Sequence, residues 1–328
     1  MRGERMSSEE LSPEGILEGI KNMTIRGAAE IGRRASLAVR LFAEREIIPD
    51  EKAYLTKLHQ FAQKALTARP TAVTLWSGVA RTLKGVNKAT SSEQALEMIR
   101  KNSDQFIQAS LLAVSAIAEM GARRVPNGAV ILTHCNSTAA VATILKAHEQ
   151  GKVKLVYATE SRPKLQGWIT VHQLAEKGVP VTMIVDSAVR HHMKFVDMVI
   201  VGADTIASNG AVINKIGTSQ IALIAHERRV PFLVCAETYK FSPQTFHGSL
   251  VAIEERDAGE VIDKKKFPGV MVSNPVFDAT PAEYVDAIVT EVGVIPATAA
   301  YEIVIHDFGI EALKTEDAQG VVLDAIQK

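Results

Sequence analysis

The chain lacks the features that mark secreted and membrane proteins. Its 328 residues include only two cysteines, Cys135 and Cys235, which cannot form a disulfide framework. A reducing cytoplasm is therefore the simplest compartment, because it leaves both thiols free. The charged N-terminus has no apolar core of a signal peptide, and apolar runs such as Ala109–Ala118 are too short or too polar to span a bilayer. We therefore expect no membrane partner.

An excess of one charge is also missing, since Lys plus Arg and Asp plus Glu number 37 each. This balance argues against bulk attraction to nucleic acid, but it allows a local basic pocket for a phosphate. The sequence has no GxGxxG, no Walker P-loop, no HExxH and no paired CxxC. The adjacent His191 and His192 cannot share one helical face. No dinucleotide, P-loop or metal site is therefore expected.

Two domains are predicted from how the apolar residues are spaced. Residues 1–125 form the first, a helical N-terminal domain, because apolar residues recur at helical spacing in Leu17–Arg45, Asp50–Ala68 and Ser91–Glu119. Residues 126–328 form the second, in which short apolar runs alternate with helical patterns. This alternation indicates parallel βαβ units. The predicted fold class is α/β, with a Rossmann-like parallel-sheet catalytic domain at the C-terminal side.

The second domain contains five predicted strands and one predicted apolar helix. The helix, Val285–Val292, is a candidate for a subunit interface. The strands are runs without in/out alternation, as expected for strands covered on both faces: Ala129–Thr133, Val153–Thr159, Val181–Val185, Met198–Val201 and Phe232–Cys235.

Ligands bind beyond the carboxyl ends of strands in open parallel sheets, so polar residues at those ends are candidate functional residues. Cys135 opens the turn into a helix beginning near Ser137, where the helix dipole is expected to depress the thiol pKa and favour a thiolate base. Asp204 ends a strand behind two small residues and can exchange protons with substrate oxygens. Asp186 is a weaker candidate. The alternatives are a buried apolar cysteine and a capping aspartate.

Phosphate binding needs N–H groups, helix N-termini and cations. Arg26–Ala29 opens a helix with small residues, and Asn214–Ser219 places a lysine and a glycine turn before the predicted helix Gln220–Arg228. Ser137 and Thr138 stand at the start of the helix after Cys135. Helix capping explains each of these segments without a ligand.

Together these segments resemble the superfamily of methylthioribose-1-phosphate isomerases, archaeal ribose-1,5-bisphosphate isomerases and translation initiation factor 2B regulatory subunits. The resemblance covers nearly the whole chain. It is carried by IRGAAEIG (25–32), ARPTAV (68–73), THCNSTAAVATIL (133–145), ESRPKLQG (160–167), VDMVIVGADTIASNGAVINKIGTSQIA (196–222) and NPVFDATPAEYVDAIVTEVGVIP (274–296).

The resemblance implies an enzyme, because the regulatory subunits look like the same scaffold without the cysteine and the aspartate that this chain has at 135 and 204. THCNSTAAVATIL, GADTI and ESRP look more like the archaeal isomerases than the methylthioribose-1-phosphate isomerases. The implied reaction converts ribose 1,5-bisphosphate to ribulose 1,5-bisphosphate through a cis-enolate and feeds Rubisco in AMP breakdown. The alternatives are methylthioribose-1-phosphate isomerase and a non-catalytic regulatory subunit.

The resemblance also implies catalytic and binding residues. Cys135 is implied as the carbon base and Asp204 as the group that handles oxygen protons. The implied substrate contacts are Arg26, Gly27, Ala28, Ala29, Arg69, Asn136, Ser137, Arg162, Gln166, Asn214, Lys215 and Lys240. The chemistry is implied to need no metal or cofactor, with AMP as a candidate activator. The implied self-association is a dimer, with a hexamer as the larger alternative.

Overall fold

The structure, a computed structural model, describes residues 12–22, 24–25, 27–69, 72–242 and 253–308. The described chain forms two compact units. The first comprises residues 12–112 and 304–308, and the second comprises residues 113–303. The boundary after Leu112 falls inside a helix that ends at Arg124, next to the change in sequence pattern at residues 125–126.

The described residues contain ten α-helices and eleven strands. The helices are α1 (Pro13–Lys21), α2 (Ala28–Arg45), α3 (Glu51–Ala68), α4 (Val73–Leu83), α5 (Ser92–Arg124), α6 (Thr138–Glu149), α7 (Gln166–Ala175), α8 (Val189–His192), α9 (Thr218–Arg228) and α10 (Ala300–Phe308). The strands are β1 (Ala129–Thr133), β2 (Val153–Thr159), β3 (Val181–Ile184), β4 (Met198–Gly202), β5 (Thr205–Ala207), β6 (Val212–Lys215), β7 (Phe232–Cys235), β8 (Phe241–Ser242), β9 (Phe277–Thr280), β10 (Ala287–Thr290) and β11 (Gly293–Ile295).

The first unit is built from helices, as its apolar spacing predicts. The prediction of one helix over Leu17–Arg45 is wrong, because this segment contains two helices, α1 and α2. The chain leaves α1 after Lys21, and Gly27 has a φ of 84° just before α2, a conformation that breaks a right-handed helix. The helices α2 and α4 cross closely, since a Cβ on Gly78 would lie 2.4 Å from the Gly32 carbonyl oxygen.

Among the described helices, α5 alone is long and apolar enough to cross a membrane by length and composition. Its apolar stretch nevertheless has polar partners within the protein. Arg33 donates to the Ser110 hydroxyl over 3.1 Å, and Arg40 donates to Asp104 over 2.6 Å. Further along, Ile117 is fully buried in the core of the second unit. The helix therefore contributes both polar contacts and a core residue to the described protein.

The second unit is organised around a seven-stranded sheet with the order β11-β10-β7-β4-β1-β2-β3. Every neighbouring pair is parallel except β10 with the edge strand β11. The central strands β1, β4 and β7 are buried throughout, so both faces of the sheet are covered. The predicted fold class is confirmed, and each of the five predicted strands is present in this sheet.

The order of the strands fixes where a ligand should bind. From β1 the chain moves outward to β2 and β3, then returns to β4 on the opposite side of β1. The switch point therefore lies between β1 and β4, and ligands bind beyond the carboxyl ends of strands at such a point. Cys135 follows β1 and Asp204 follows β4.

A second sheet with the order β8-β5-β6-β9 was not predicted, because its strands are only two to four residues long. Its antiparallel register pairs Asn214 with Asp278 and Lys215 with Phe277. The predicted helix Val285–Val292 is wrong. That segment contains β10, which pairs with β7, and its apolar residues serve the main sheet.

Candidate active site

Cys135 lies in a tight turn between β1 and α6. Its φ of 66° is in the left-handed region, which L-residues other than glycine rarely adopt. The peptide is held on both sides. Its N–H donates to Ser161 Oγ over 2.7 Å, and its carbonyl accepts from Thr170 Oγ1 over 2.7 Å. Contacts from the end of β2 and from α7 therefore fix the conformation of the cysteine.

His134 connects this turn to the segment after β6. Its Nε2 donates to the Ile216 carbonyl over 2.9 Å, so Nδ1 is left to accept from the Thr159 hydroxyl over 2.5 Å. Burial lowers the pKa of His134, and the ring is therefore neutral at physiological pH. Asp186 stands behind the network and accepts the Ser161 N–H over 2.8 Å. In this structure Asp186 is a structural acceptor for the turn that follows β2.

Asp204 follows β4 after Gly202 and Ala203. Its own N–H donates to the Ile213 carbonyl over 3.0 Å, which places the residue beside β6. A Cβ on Gly202 would lie 2.2 Å from Ser137 Oγ, so only glycine leaves room for Ser137 against β4. Ser137 is the N-cap of α6 and accepts from the Ala140 N–H over 3.4 Å. The small residues before Asp204 therefore allow the start of α6 to approach the end of β4.

The thiol of Cys135 is not a resting thiolate, contrary to the expectation from its place before a helix. Burial, and after it the charge of Asp204, raises the pKa of Cys135 to about 11, against the opposing effect of Lys215. A helix start lowers a thiol pKa through free N–H groups, but the N–H of Cys135 itself donates to Ser161. The charge of Asp204 therefore acts on the thiol, and the catalytic roles of the two residues stay predictions.

Lys215 provides a cation beside this pair. The residue is only 5% exposed, and its ammonium lies 5.3 Å from the centre of the Phe277 ring. Within the described chain, no carboxylate lies at ion-pair distance from it. A buried ammonium is costly unless negative charge offsets it, so an anionic ligand is favoured at this position. Neighbouring Asn214 is also buried and donates to the Thr218 hydroxyl over 3.1 Å.

Lys240, in contrast, has an internal partner. Its ammonium lies 2.7 Å from Glu237 Oε2, and both side chains are buried. Burial opposes ionisation of Glu237, but the Lys240 charge outweighs it and holds the pKa of this carboxyl below its usual range. The charge of Lys240 is therefore already balanced by Glu237.

The start of α9 is occupied by a carboxylate. Asp278 accepts the Gly217 N–H over 2.7 Å and the Ser219 N–H over 3.1 Å. Burial raises the pKa of Asp278 to about 6, although the two N–H groups act to lower it. The glycine turn before α9 was predicted as a source of N–H groups for phosphate. That interpretation is wrong for these two amides, because Asp278 already binds them.

The turn before α7 contains two further predicted contacts. Arg162 is exposed, and its guanidinium donates to the Val261 carbonyl over 3.1 Å. Gln166 begins α7, and its Oε1 is buried with no hydrogen-bond partner in the part of the chain that the structure describes. Such an orphaned acceptor suits a ligand hydroxyl. Asn136 instead donates to Thr170 and Gln173, each over 2.9 Å.

Four of the remaining predicted residues lie in the described part of the first unit. Gly27 is the N-cap of α2, whose first turn contains Ala28 and Ala29. Arg69 is the C-cap of α3. Arg26 lies outside the described residues. The roles implied for these five residues stay predictions.

Four residues that shape the site were not predicted, namely His134, Ser161, Thr170 and Asp278. His134 and Ser161 fall within segments that carry the family resemblance, as does Asp278 in NPVFDATP. Nothing local in the sequence marks Thr170. Within the described residues, no group of three or more His, Cys, Asp or Glu side chains is arranged to hold a metal ion.

Comparison with known proteins gives consistent matches. The chain matches the initiation factor 2 subunit family over residues 24–297. It is 47% identical over 306 residues to ribose 1,5-bisphosphate isomerase of Methanocaldococcus jannaschii, covering 93% of this chain and 98% of that protein. The enzyme of the same name from Archaeoglobus fulgidus is 48% identical over 301 residues, covering 92% and 95%. A solved structure, 5-methylthioribose 1-phosphate isomerase of Pyrococcus horikoshii, superposes with a TM-score of 0.72 at 31% identity, covering 91% and 88%.

Proposed function

The chain belongs to the initiation factor 2 subunit family and is an isomerase, and we propose that it converts ribose 1,5-bisphosphate to ribulose 1,5-bisphosphate. One observation carries this proposal beyond the relatives. Cys135 and Asp204 follow the two strands at the switch point of the parallel sheet, and the charges of Asp204 and of the buried Lys215 both act on the Cys135 thiol. The site thus combines two proton-transferring groups with a charge that suits a phosphate or an enolate.

The proton transfers balance with these two groups alone. Asp204 donates a proton to the ring oxygen as the bond between that oxygen and C1 breaks. Cys135, as a thiolate, removes the proton from C2 and leaves a cis-enol that still bears the C1 phosphate. Asp204 then accepts the proton of the C2 hydroxyl while Cys135 returns its proton to C1. Both residues end in the states in which they began.

This cycle requires a protonated Asp204 and an ionised Cys135. Burial and the Asp204 charge raise the pKa of Cys135 to about 11, so the thiol is protonated in the resting enzyme. Moving that proton to Asp204 removes the negative charge that disfavours the thiolate. The active form is proposed to be the one in which the thiol proton has moved to Asp204.

Lys215 is proposed to stabilise negative charge as it develops on the substrate. Its ammonium already lowers the pKa of Cys135, so its field acts at the site of chemistry. Gln166 is proposed to bind a sugar hydroxyl through its unpartnered Oε1. Arg162 offers an exposed guanidinium for a phosphate. Lys240 contributes only if a ligand replaces Glu237 as its partner.

The alternative substrate is methylthioribose 1-phosphate, which undergoes the same chemistry with one phosphate. It is the less supported choice, because enzymes of that name from two Geobacter species are 38% and 39% identical to this chain, whereas the ribose 1,5-bisphosphate isomerases named above are 47% and 48% identical. A non-catalytic regulatory role needs neither the thiol nor the carboxylate, and both are present here.

Turnover assays on the two sugars, followed by phosphorus NMR, test the proposal. Wild-type protein is expected to convert ribose 1,5-bisphosphate, and Cys135→Ser and Asp204→Asn to lose about a hundred- to ten-thousandfold in kcat. Cys235→Ser is the matched control, because that thiol is buried beside Thr143 and has no proposed role. Full activity in both site variants contradicts the mechanism. Faster turnover of methylthioribose 1-phosphate than of ribose 1,5-bisphosphate contradicts the proposed substrate.

The same assay in deuterated water tests the role of the thiol as a carbon base. We expect solvent deuterium at C1 of the product, because the proton on Cys135 exchanges with solvent at the enol stage. Full retention of the substrate hydrogen would instead support a hydride shift, which needs no carbon base.

We further propose a cytoplasmic self-associating enzyme that needs no cofactor and has AMP as an activator. Both described cysteines are free thiols, in keeping with a reducing compartment. Light scattering after gel filtration measures whether the assembly is a dimer or a hexamer. Turnover with and without AMP tests activation, and an unchanged rate would remove AMP from the proposal.

A further inference from the structure

We propose that Ser161 and Thr170 are positioning residues, which hold Cys135 in the backbone conformation that its chemistry needs. The inference rests on the proposed function for its kinetic test. The turn at Cys135 is strained, because its φ is 66° and a residue with a Cβ atom rarely adopts that conformation. A residue persists in that region only when its surroundings determine it.

Two hydroxyls outside the turn provide that restraint. Ser161 Oγ accepts the Cys135 N–H over 2.7 Å, and Thr170 Oγ1 donates to the Cys135 carbonyl over 2.7 Å. One hydroxyl comes from the end of β2 and the other from α7, so the two restraints act from different elements. Both residues are almost fully buried, at 0% and 1% exposure, so neither hydroxyl is open to a substrate in solution.

Ser161 is itself fixed. Its φ is 60°, its N–H donates to Asp186 over 2.8 Å, and its Oγ lies 3.3 Å from the Thr159 hydroxyl. Thr170 is fixed as well, because it lies within α7, and its hydroxyl also accepts from Asn136, the residue after Cys135, over 2.9 Å. The restraint on Cys135 therefore ends in groups that have little freedom to move.

Release of this restraint has a specific consequence. If Cys135 relaxes to a right-handed conformation, its Cα–Cβ bond turns and the thiol leaves its place beside Asp204 and Lys215. Turnover then falls while binding groups stay in place. Burial is the largest cause of the high pKa of Cys135, so a loosened turn also lowers that pKa and increases alkylation of the thiol.

The test compares Ser161→Ala and Thr170→Val, each without one hydroxyl, with Thr170→Ser, which keeps it. Both hydroxyl-lacking variants are expected to lose at least about tenfold in kcat, with KM within about twofold, and Thr170→Ser to retain most of the activity. Thr143→Val is the matched control, because its hydroxyl donates to the Ala139 carbonyl within α6. If Ser161→Ala does not fold, the kcat of Thr170→Val alone tests the proposal.

The second measurement needs no substrate. In a Cys235→Ser background, iodoacetamide is expected to alkylate Cys135 faster in Ser161→Ala and Thr170→Val than in the parent, with half-maximal rate at lower pH. Unchanged alkylation in both variants overturns the proposal, as does unchanged kcat in an active enzyme. If the wild type converts neither sugar, the proposed function fails. The alkylation rates alone then show whether Ser161 and Thr170 hold Cys135 in its conformation.

Discussion

At the scale of single residues, opposing charges set the reactivity of Cys135. Burial has the largest effect on the pKa of the thiol and raises it. The charge of Asp204 also raises the pKa and that of Lys215 lowers it, and the resulting pKa is about 11. A thiol that reacted freely at neutral pH would be open to oxidation and alkylation. In the proposed mechanism the thiolate forms when the proton is moved to Asp204, so reactivity is tied to the state of the pair.

Replacing one member of the pair tests this charge balance. Asp204→Asn removes a negative charge, and the pKa of Cys135 is expected to fall below about 11. Lys215→Met removes a positive charge and is expected to raise it. The pH dependence of Cys135 alkylation, measured in a Cys235→Ser background, gives both values. Shifts of the same sign in the two variants would contradict the charge balance described here.

Gly202 is a second residue whose role depends on one contact. In Gly202→Ala the new methyl group would lie 2.2 Å from Ser137 Oγ, so α6 or the Asp204 loop has to shift. We expect a loss of about 1–3 kcal/mol in the free energy of unfolding, together with a loss of turnover. Denaturant titration measures the former.

The partner variant provides the control for that experiment. Ser137→Gly removes the colliding atoms and is expected to cost only a few tenths of a kcal/mol as an N-cap change. The double variant Gly202→Ala with Ser137→Gly should recover most of the lost stability. Additive losses in the double variant would show that the contact is not the cause.

At the scale of elements, the small second sheet brings distant segments to the site. Strand β6 supplies Asn214 and Lys215, and its neighbour β9 supplies Phe277 and Asp278 directly opposite them. Phe277 packs against the Lys215 ammonium, and Asp278 caps α9. The sheet therefore positions the cation and closes the adjacent helix start to other anions.

The cap formed by Asp278 predicts a pH-dependent stability. Its pKa in the folded protein, about 6, is above its ordinary value of 3.8, so the folded state favours the protonated carboxyl. The contribution of this group is fully present below the ordinary pKa and is lost as pH rises through about 6. Asp278→Asn cannot ionise and should gain stability relative to wild type over this range, as measured by denaturant unfolding. A difference independent of pH would contradict the raised pKa.

At the scale of the whole molecule, the order of the strands explains how two residues 69 positions apart in numbering come to the same edge of the main sheet. The chain leaves β1 in one direction and returns at β4 in the other, so the ends of these two strands meet at the switch point. Cys135 and Asp204 follow those strands directly. The chemistry therefore depends on the topology of the second unit.

The donor groups available in the molecule also predict how it responds to metal removal. No described cluster of His, Cys, Asp and Glu is arranged to bind a metal, and the proton transfers are assigned to a thiol and a carboxylate. Dialysis against EDTA is therefore expected to leave kcat and KM unchanged. Loss of turnover that is restored by a divalent cation would contradict this assignment.

The sequence by itself determined the class of fold and the candidate pair. Uninterrupted apolar runs indicate buried parallel strands, and polar residues at their ends mark Cys135 and Asp204, because these signals are local. The quoted motifs also indicated the family, which is confirmed. Short strands such as β5 and β6 carry too few residues for a pattern, and Val285–Val292 has a composition that suits a helix as well as a strand.

Only the tertiary structure decided how the site is held. Ser161 is 26 residues from the cysteine whose N–H it binds, and Asp278 is 61 residues from the amide that it caps. Such partners are chosen by the packing of strands and helices, and no local pattern encodes them. The same holds for the pKa of Cys135, because burial and the charge of the distant Asp204 outweigh the helix start that its sequence neighbours indicate.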